Sequence, residues 1–111
     1  MIVADFSRNE KGLRLHIEGH ADYSSGEDII CAATSGIFYA LCGYLCNFKR
    51  GSVRINCLDN GCADLECGED CESYLQMTCL GLFEIARAYP ENIAVINRAW
   101  AWKMLPRHNS R

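Results

Sequence analysis

Between Ile29 and Phe48 the chain runs for twenty residues without a charged side chain, and this stretch constrains the fold more than any other. An uncharged run of that length is either long enough to cross a bilayer as a helix or is a helix covered on most sides by protein. Its composition favours the second. Thr34, Ser35, Asn47, three cysteines and two glycines make it only moderately hydrophobic beside a spanning segment, so no membrane association is expected. Ile30, Thr34, Ile37, Leu41, Leu45 and Phe48 recur at helical spacing from a start near Asp28, and Lys49, Arg50 and Gly51 provide a stop. The run also carries more apolar surface than one face of a small sheet needs. Part of it is expected to meet a second subunit, giving a homodimer.

Flanking this helix are two stretches that alternate. Ile2, Ala4 and Phe6, then Leu13, Leu15 and Ile17, are each interleaved with polar residues, and "RNEKG" between them has turn chemistry. "SVRINCLDNGCADLEC" reads as a second hairpin turning at Asp59-Asn60-Gly61, with glycine in the left-handed position. In that register Cys57 opposes Ala63, Ile55 opposes Leu65 and Val53 opposes Cys67 on the inner face. Arg54–Glu66 and Asn56–Asp64 then pair on the outer one. A second helix is expected from about Glu69 to Tyr89, with acids in its first turn, Pro90 after its end, and Leu75, Thr78, Leu82, Ile85 and Tyr89 inward. Together these elements predict an α+β two-layer sandwich: two helices on one face of a four-stranded antiparallel sheet, in the order ββαββα. At 111 residues this is a single domain, placed at 1–97, with a basic and aromatic tail at 98–111.

A net charge of −3 provides no overall basic field, so direct nucleic-acid binding is not expected. Eight cysteines in so short a chain suggest a disulfide framework. "MIVADFSRNEKG", however, lacks the charged and apolar regions of a secretory leader, so reduced thiols and a cytoplasmic location are expected. Cys57, Cys62, Cys67 and Cys71 suffice in number for a closed zinc site. No C-x-x-C spacing occurs, and the hairpin register sends Cys62 away from Cys57 and Cys67, so no metal or other cofactor is assigned. Trp100 and Trp102, followed by Lys103 and Arg107, suit an extra edge strand, a dimer arm or a stacking surface; the edge strand or arm is favoured.

"GHADYSSGEDIICAATS" sets His20 at the end of the second strand and Cys31 in the first turn of the long helix. With Asp28 as N-cap, the Cys31 sulfur lies near the positive end of the helix dipole, and an adjacent imidazole favours thiolate further. Either residue alone is ordinary, because buried cysteines are common and a histidine beside a glycine is usually part of a turn.

The wording of the stretch is more specific. Gly19-His20-Ala21, Gly26, Asp28-Ile29-Ile30-Cys31-Ala32-Ala33 and Ser35 together resemble the signature of the ribosomal-processing cysteine proteases, the Prp family. The resemblance implies a catalytic dyad of His20 and Cys31, a dimer, and a substrate that is a large-subunit ribosomal protein with an N-terminal extension. The chemistry is acyl transfer: Cys31 attacks the scissile carbonyl, His20 protonates the leaving amine, and the backbone amides of Cys31 and Ala32 are candidates for the oxyanion hole. Asp28 is read as the cap, with orientation of His20 as the alternative. Gly19 and Gly26 are either hinges of a loop closing over a peptide or turn residues, and residues 21–27 hold too few apolar groups to be pinned before substrate arrives. The competing function is a non-catalytic dimeric module that binds ribosomal protein or RNA.

Overall fold

In the computed structural model, which describes residues 1–20, 29–59 and 61–102, β1 (Ile2–Asn9) and β2 (Gly12–Glu18) form the first hairpin. Phe6 opposes Leu15 and Ala4 opposes Ile17, so the alternation buries one face of both strands and leaves Arg14 and Glu18 on the other. The uncharged run forms α1 (Ile29–Phe48), followed by a single 3₁₀ turn, Arg50–Ser52. Then come β3 (Val53–Asp59), β4 (Cys62–Cys67), a 3₁₀ turn at Glu69–Cys71 and α2 (Glu72–Ala88). Asp28, Gly26 and the rest of 21–28 lie outside the described residues, as do Asn60 and the tail beyond 102, so neither the cap nor the closing loop is described here.

The α+β expectation holds, with a correction to the sheet. It has five strands, not four, in the order β3-β4-β2-β1-β5, and it is mixed: β5 (Ile93–Arg98) runs parallel to β1. After Pro90 ends α2, the Asn92 carbonyl accepts the Ile2 amide at 2.9 Å, which starts the parallel pairing. The edge strand is not the tryptophan segment, where it was expected, but the run ahead of it, and Trp100 and Trp102 lie outside any strand. Asn97 reverses the chain behind it, its Oδ1 accepting the amides of Ala99 (3.0 Å) and Trp100 (2.9 Å). Trp100 then packs on Phe6 with ring centroids 5.9 Å apart, Trp102 stacks on Trp100 at 5.5 Å, and Trp100 Nε1 donates to Glu72.

The β3–β4 register needs a second correction. Val53–Cys67, Arg54–Glu66 and Ile55–Leu65 pair as expected, but a bulge after Ile55 leaves Cys57 opposite Asp64, Leu58 opposite Ala63 and Asp59 opposite Cys62. The bulge absorbs one residue, so the pairing continues to Asp59–Cys62, and Gly61 just before Cys62 has φ +87°. Leu58 takes the inner position expected for Cys57. Asn56 still reaches its intended partner through its side chain, donating to Asp64 at 3.1 Å and to Glu66 at 2.8 Å.

Both helices cover the inner face. From α1, Ile30, Thr34, Phe38, Leu41, Cys42 and Leu45 are buried, and from α2, Leu75, Thr78, Cys79 and Leu82. Ile30, Thr34, Leu41 and Leu45 are buried as expected, Phe38 is buried where Ile37 was expected, Cys42 joins the stripe, and Phe48 does not belong to it. Phe48 lies beyond the sheet, 71% exposed, against Tyr44. Although α1 is long and apolar enough to cross a membrane by length and composition, its inner stripe packs in the core of this sandwich.

The outer face carries a polar ladder centred on Asp64, which is only 3% exposed. Arg14 reaches it through Nε (3.0 Å) and Nη2 (2.5 Å), and His16 through Nδ1 (2.6 Å). Burial pushes the Asp64 carboxyl up, but its bonds from Arg14, His16 and Asn56 win and lower it to about 2. His16 also faces Glu18, with Nε2 at 2.9 Å. The bond to Glu18, joined by that to Asp64, holds its imidazole above the ordinary value against the opposing effect of burial.

Candidate active site

Where β2 ends, Gly19 turns the chain with φ +100°. A Cβ there would lie 2.2 Å from the Met1 carbonyl oxygen, so no other residue fits this close approach. The Gly19 amide donates to the Gly61 carbonyl at 2.9 Å, tying the end of β2 to the tip of the β3–β4 hairpin. His20 follows with its side chain exposed, and α1 begins across from it. Cys31 is the third residue of α1 and half-buried, and it lies within the first turn, at the positive end of the helix dipole. His20 and Cys31 line one pocket of about 100 Å³. Its walls are Ile2 and Ile17 from the central strands, Thr34 and Phe38 one and two turns along α1, and Leu58 and Gly61 from the hairpin tip.

The sequence reading anticipated His20, Cys31 and Gly19 at this place, but not Thr34, Leu58 or Gly61. Gly61 was legible only as a turn glycine, and Leu58 was hidden by the bulge. Thr34 sits on the same helical face as Cys31 and was assigned to the core. It is buried, and its hydroxyl has no hydrogen-bond partner among the described residues, in contrast to Thr78, whose hydroxyl donates to the Tyr74 carbonyl at 2.8 Å.

Five of the other cysteines are poorly suited to thiolate chemistry. Burial pushes the thiols of Cys42 to about 11 and of Cys67 and Cys79 to about 12, and raises that of Cys71. A hydrogen bond with Cys62, together with burial and Asp59, takes Cys57 to about 11. Cys62 contributes to the pocket rim, but it pairs with Glu18 in the sheet and alternates with Ala63, which sends its side chain to the outer face. By the same alternation Cys57 and Cys62 lie on the face opposite Cys67. Among the described residues no three histidine, cysteine or acidic side chains converge as metal ligands.

A second, wider groove of about 760 Å³ lies at the far end of the sheet, lined by Asn9 to Leu13, Gly51 to Arg54 and Glu66 to Gly68. Its one sulfur is the buried Cys67, and it contains no histidine. Of these two, it is the first pocket that joins a histidine to a cysteine at a helix start, the arrangement that supports nucleophilic attack with proton transfer.

Several solved structures share this architecture. Among solved structures, the ribosomal processing protease Prp from S. aureus in complex with a covalently linked product peptide matches with a TM-score of 0.76 and 26% identity, covering 86% of this chain and 98% of that one. The same protease with a substrate peptide matches with a TM-score of 0.71 and 25% identity, over 86% and 97% of the two chains. SMU.848 from Streptococcus mutans matches with a TM-score of 0.68 and 25% identity, over 90% and 96%. No curated protein matches significantly. The family model for the cysteine protease Prp matches residues 1–94, which include both strands of the first hairpin, the helix that carries Cys31 and the hairpin that closes the pocket. This chain belongs to the Prp family of cysteine proteases.

Proposed function

We propose that the protein is an endopeptidase that removes an N-terminal extension from a large-subunit ribosomal protein, with Cys31 as nucleophile and His20 as its base. The observation that carries this reading is the pocket shared by His20, at a strand end, and Cys31, in the first turn of α1. The helix start favours the thiolate form of Cys31, and its attack on the scissile carbonyl forms a thioester as His20 passes a proton to the leaving amine. The Cys31 and Ala32 amides point along the helix axis toward the developing oxyanion, and water then hydrolyses the thioester. Asp28 caps α1 in this reading. The relatives solved with substrate and product peptides support an extended peptide as the ligand.

The enzyme works as a homodimer in the cytoplasm. Ile29, Tyr39, Tyr44 and Phe48 of α1 and Met77 of α2 are each more than 40% exposed, an unusual apolar load for a free surface. On α1 nothing lies within 4 Å of where a side chain at Gly36 or Gly43 would begin, which leaves room for a second helix. Light scattering at micromolar concentration should give twice the chain mass, and a monomer would remove the dimer from this reading.

Fluorogenic peptides spanning the N-terminal extensions of ribosomal proteins from the same genome provide the functional test. At least one should be cut by the native chain and by none of its Cys31→Ala preparations. If none is cut, the protein is not a processing protease, and the binding-module reading takes its place.

A further inference from the structure

The bare Cα of Gly61 does more than permit a turn. A side chain begun there would place its Cβ 3.0 Å from His20 Nε2, 3.4 Å from Cε1 and 3.8 Å from Cδ2, so the Nε2 edge of the imidazole fills the space that glycine leaves. The carbonyl of the same residue accepts the Gly19 amide at 2.9 Å, which fixes the backbone immediately before His20. One residue at the tip of β3–β4 thus meets His20 twice, through its ring and through the chain that carries it. The bulge after Ile55 sets where that tip falls, because it shifts every pairing between Cys57 and Asp59 by one residue.

We propose that Gly61 is a positioning residue for His20: the β3–β4 turn is the platform on which the imidazole rests, and it holds the base at the mouth of the Cys31 pocket. This rests on the His20–Cys31 reading and extends it to a residue on a different hairpin from either. A side chain at 61 moves the ring off its platform while leaving Cys31, α1 and the apolar pocket walls in place. The dyad then loses its proton partner, and Cys31 behaves as a solitary thiol.

The test must separate this from the backbone strain that any side chain meets at positive φ. Asparagine tolerates such a backbone better than alanine does, so Gly61→Asn keeps the turn and still adds a Cβ, while Gly61→Ala adds both strain and bulk. Each is made in the native chain and in the His20→Ala background. The rate at which iodoacetamide alkylates Cys31, followed by peptide mass spectrometry across pH 5–9, reports the thiolate directly and needs no knowledge of the substrate. Thermal melting of the same proteins reports the fold.

With His20 present, both substitutions should lower the Cys31 rate at about pH 6 by roughly tenfold, the effect of about one unit in thiol pKa. In the His20→Ala background they should change that rate less than twofold, and they should lower the melting temperature by less than they do when the ring is present. Equal melting losses in both backgrounds, with the alkylation profile of the native chain preserved, would make Gly61 an ordinary turn glycine and overturn the proposal. A native profile that His20→Ala leaves unchanged would overturn the dyad itself, and the positioning role with it.

Discussion

The two hairpins of this sheet are built to different standards. β1–β2 lies at the centre, pairs without interruption from Val3–Glu18 to Asn9–Gly12, and buries Ile2, Ala4, Phe6, Leu13, Leu15 and Ile17. β3–β4 contains a bulge, its β3 strand forms one edge of the sheet and contains no fully buried residue, and its tip forms a wall of the pocket. The central hairpin is fixed by burial, which tolerates little variation in register. The outer one is fixed by what it must reach: Leu58 toward the pocket, Gly61 beneath His20, and Asn56 toward Asp64. A bulge costs ladder bonds, and here it re-aims the residues that follow it.

The largest effect that should separate the two hairpins is on stability. Leu15→Ala removes a fully buried side chain from β2 and should cost about 2–5 kcal/mol in urea denaturation, whereas Leu58→Ala, at 48% exposure, should cost less than about 1 kcal/mol and act on peptide cleavage instead. Similar losses from both would mean that the outer hairpin is as much a part of the core as the central one.

This division also explains how far the sequence could be read. Period-two alternation at Ile2, Ala4 and Phe6 and at Leu13, Leu15 and Ile17 has one reading, and it gave the central hairpin in register. The helix at 29–48 followed from its lack of charge. At β3–β4 the alternation gave the correct pairs as far as Ile55–Leu65 and failed one residue later, because nothing in "RINCLD" marks Asn56 as the extra residue. β5 is hidden for another reason: "IAVINR" is six residues long, follows a proline closely and lacks a hairpin turn to a neighbouring strand, because its partner β1 is at the other end of the chain. That His20 and Cys31 line one pocket is legible in the wording of the stretch, not in its periodicity. Thr34, Leu58 and Gly61 belong to the pocket through tertiary contacts that no local pattern encodes.

The next effect concerns the polar ladder that joins the two hairpins across β2 and β4. Asp64→Asn removes the negative charge and one of the two oxygens that Arg14 and His16 share, puts an NH2 donor in its place, and should cost about 2 kcal/mol at pH 7. Because the Asp64 carboxyl is lowered in the fold to about 2, its contribution is present above the ordinary value of 3.8 and is lost as pH falls below it toward 2. Acid unfolding of the native chain should therefore steepen in that window, and Asp64→Asn should flatten it. An unchanged acid limb in the variant would show that the ladder does not couple the hairpins.

His16 gives the smallest effect and the opposite sign. Its folded pKa lies above 6.5, so its bonds to Glu18 and Asp64 stabilise the fold fully below pH 6.5 and weaken as pH rises through the raised value. Melting temperatures between pH 6 and 8 should fall slightly in the native chain, by less than about 1 kcal/mol in stability, and stay level in His16→Gln. A native chain with no slope in this range would remove His16 from the network.

The most direct measurement of the central claim is to offer the protein a peptide chloromethyl ketone built on a cleaved ribosomal-protein extension and to locate the adduct by mass spectrometry. Such a reagent alkylates the nucleophile that the bound peptide meets, among eight cysteines that differ widely in burial. The account predicts one adduct per chain, on Cys31, formed much more slowly after His20→Ala. An adduct on Cys46 or Cys62, or labelling of Cys31 at the same rate with and without His20, would contradict it.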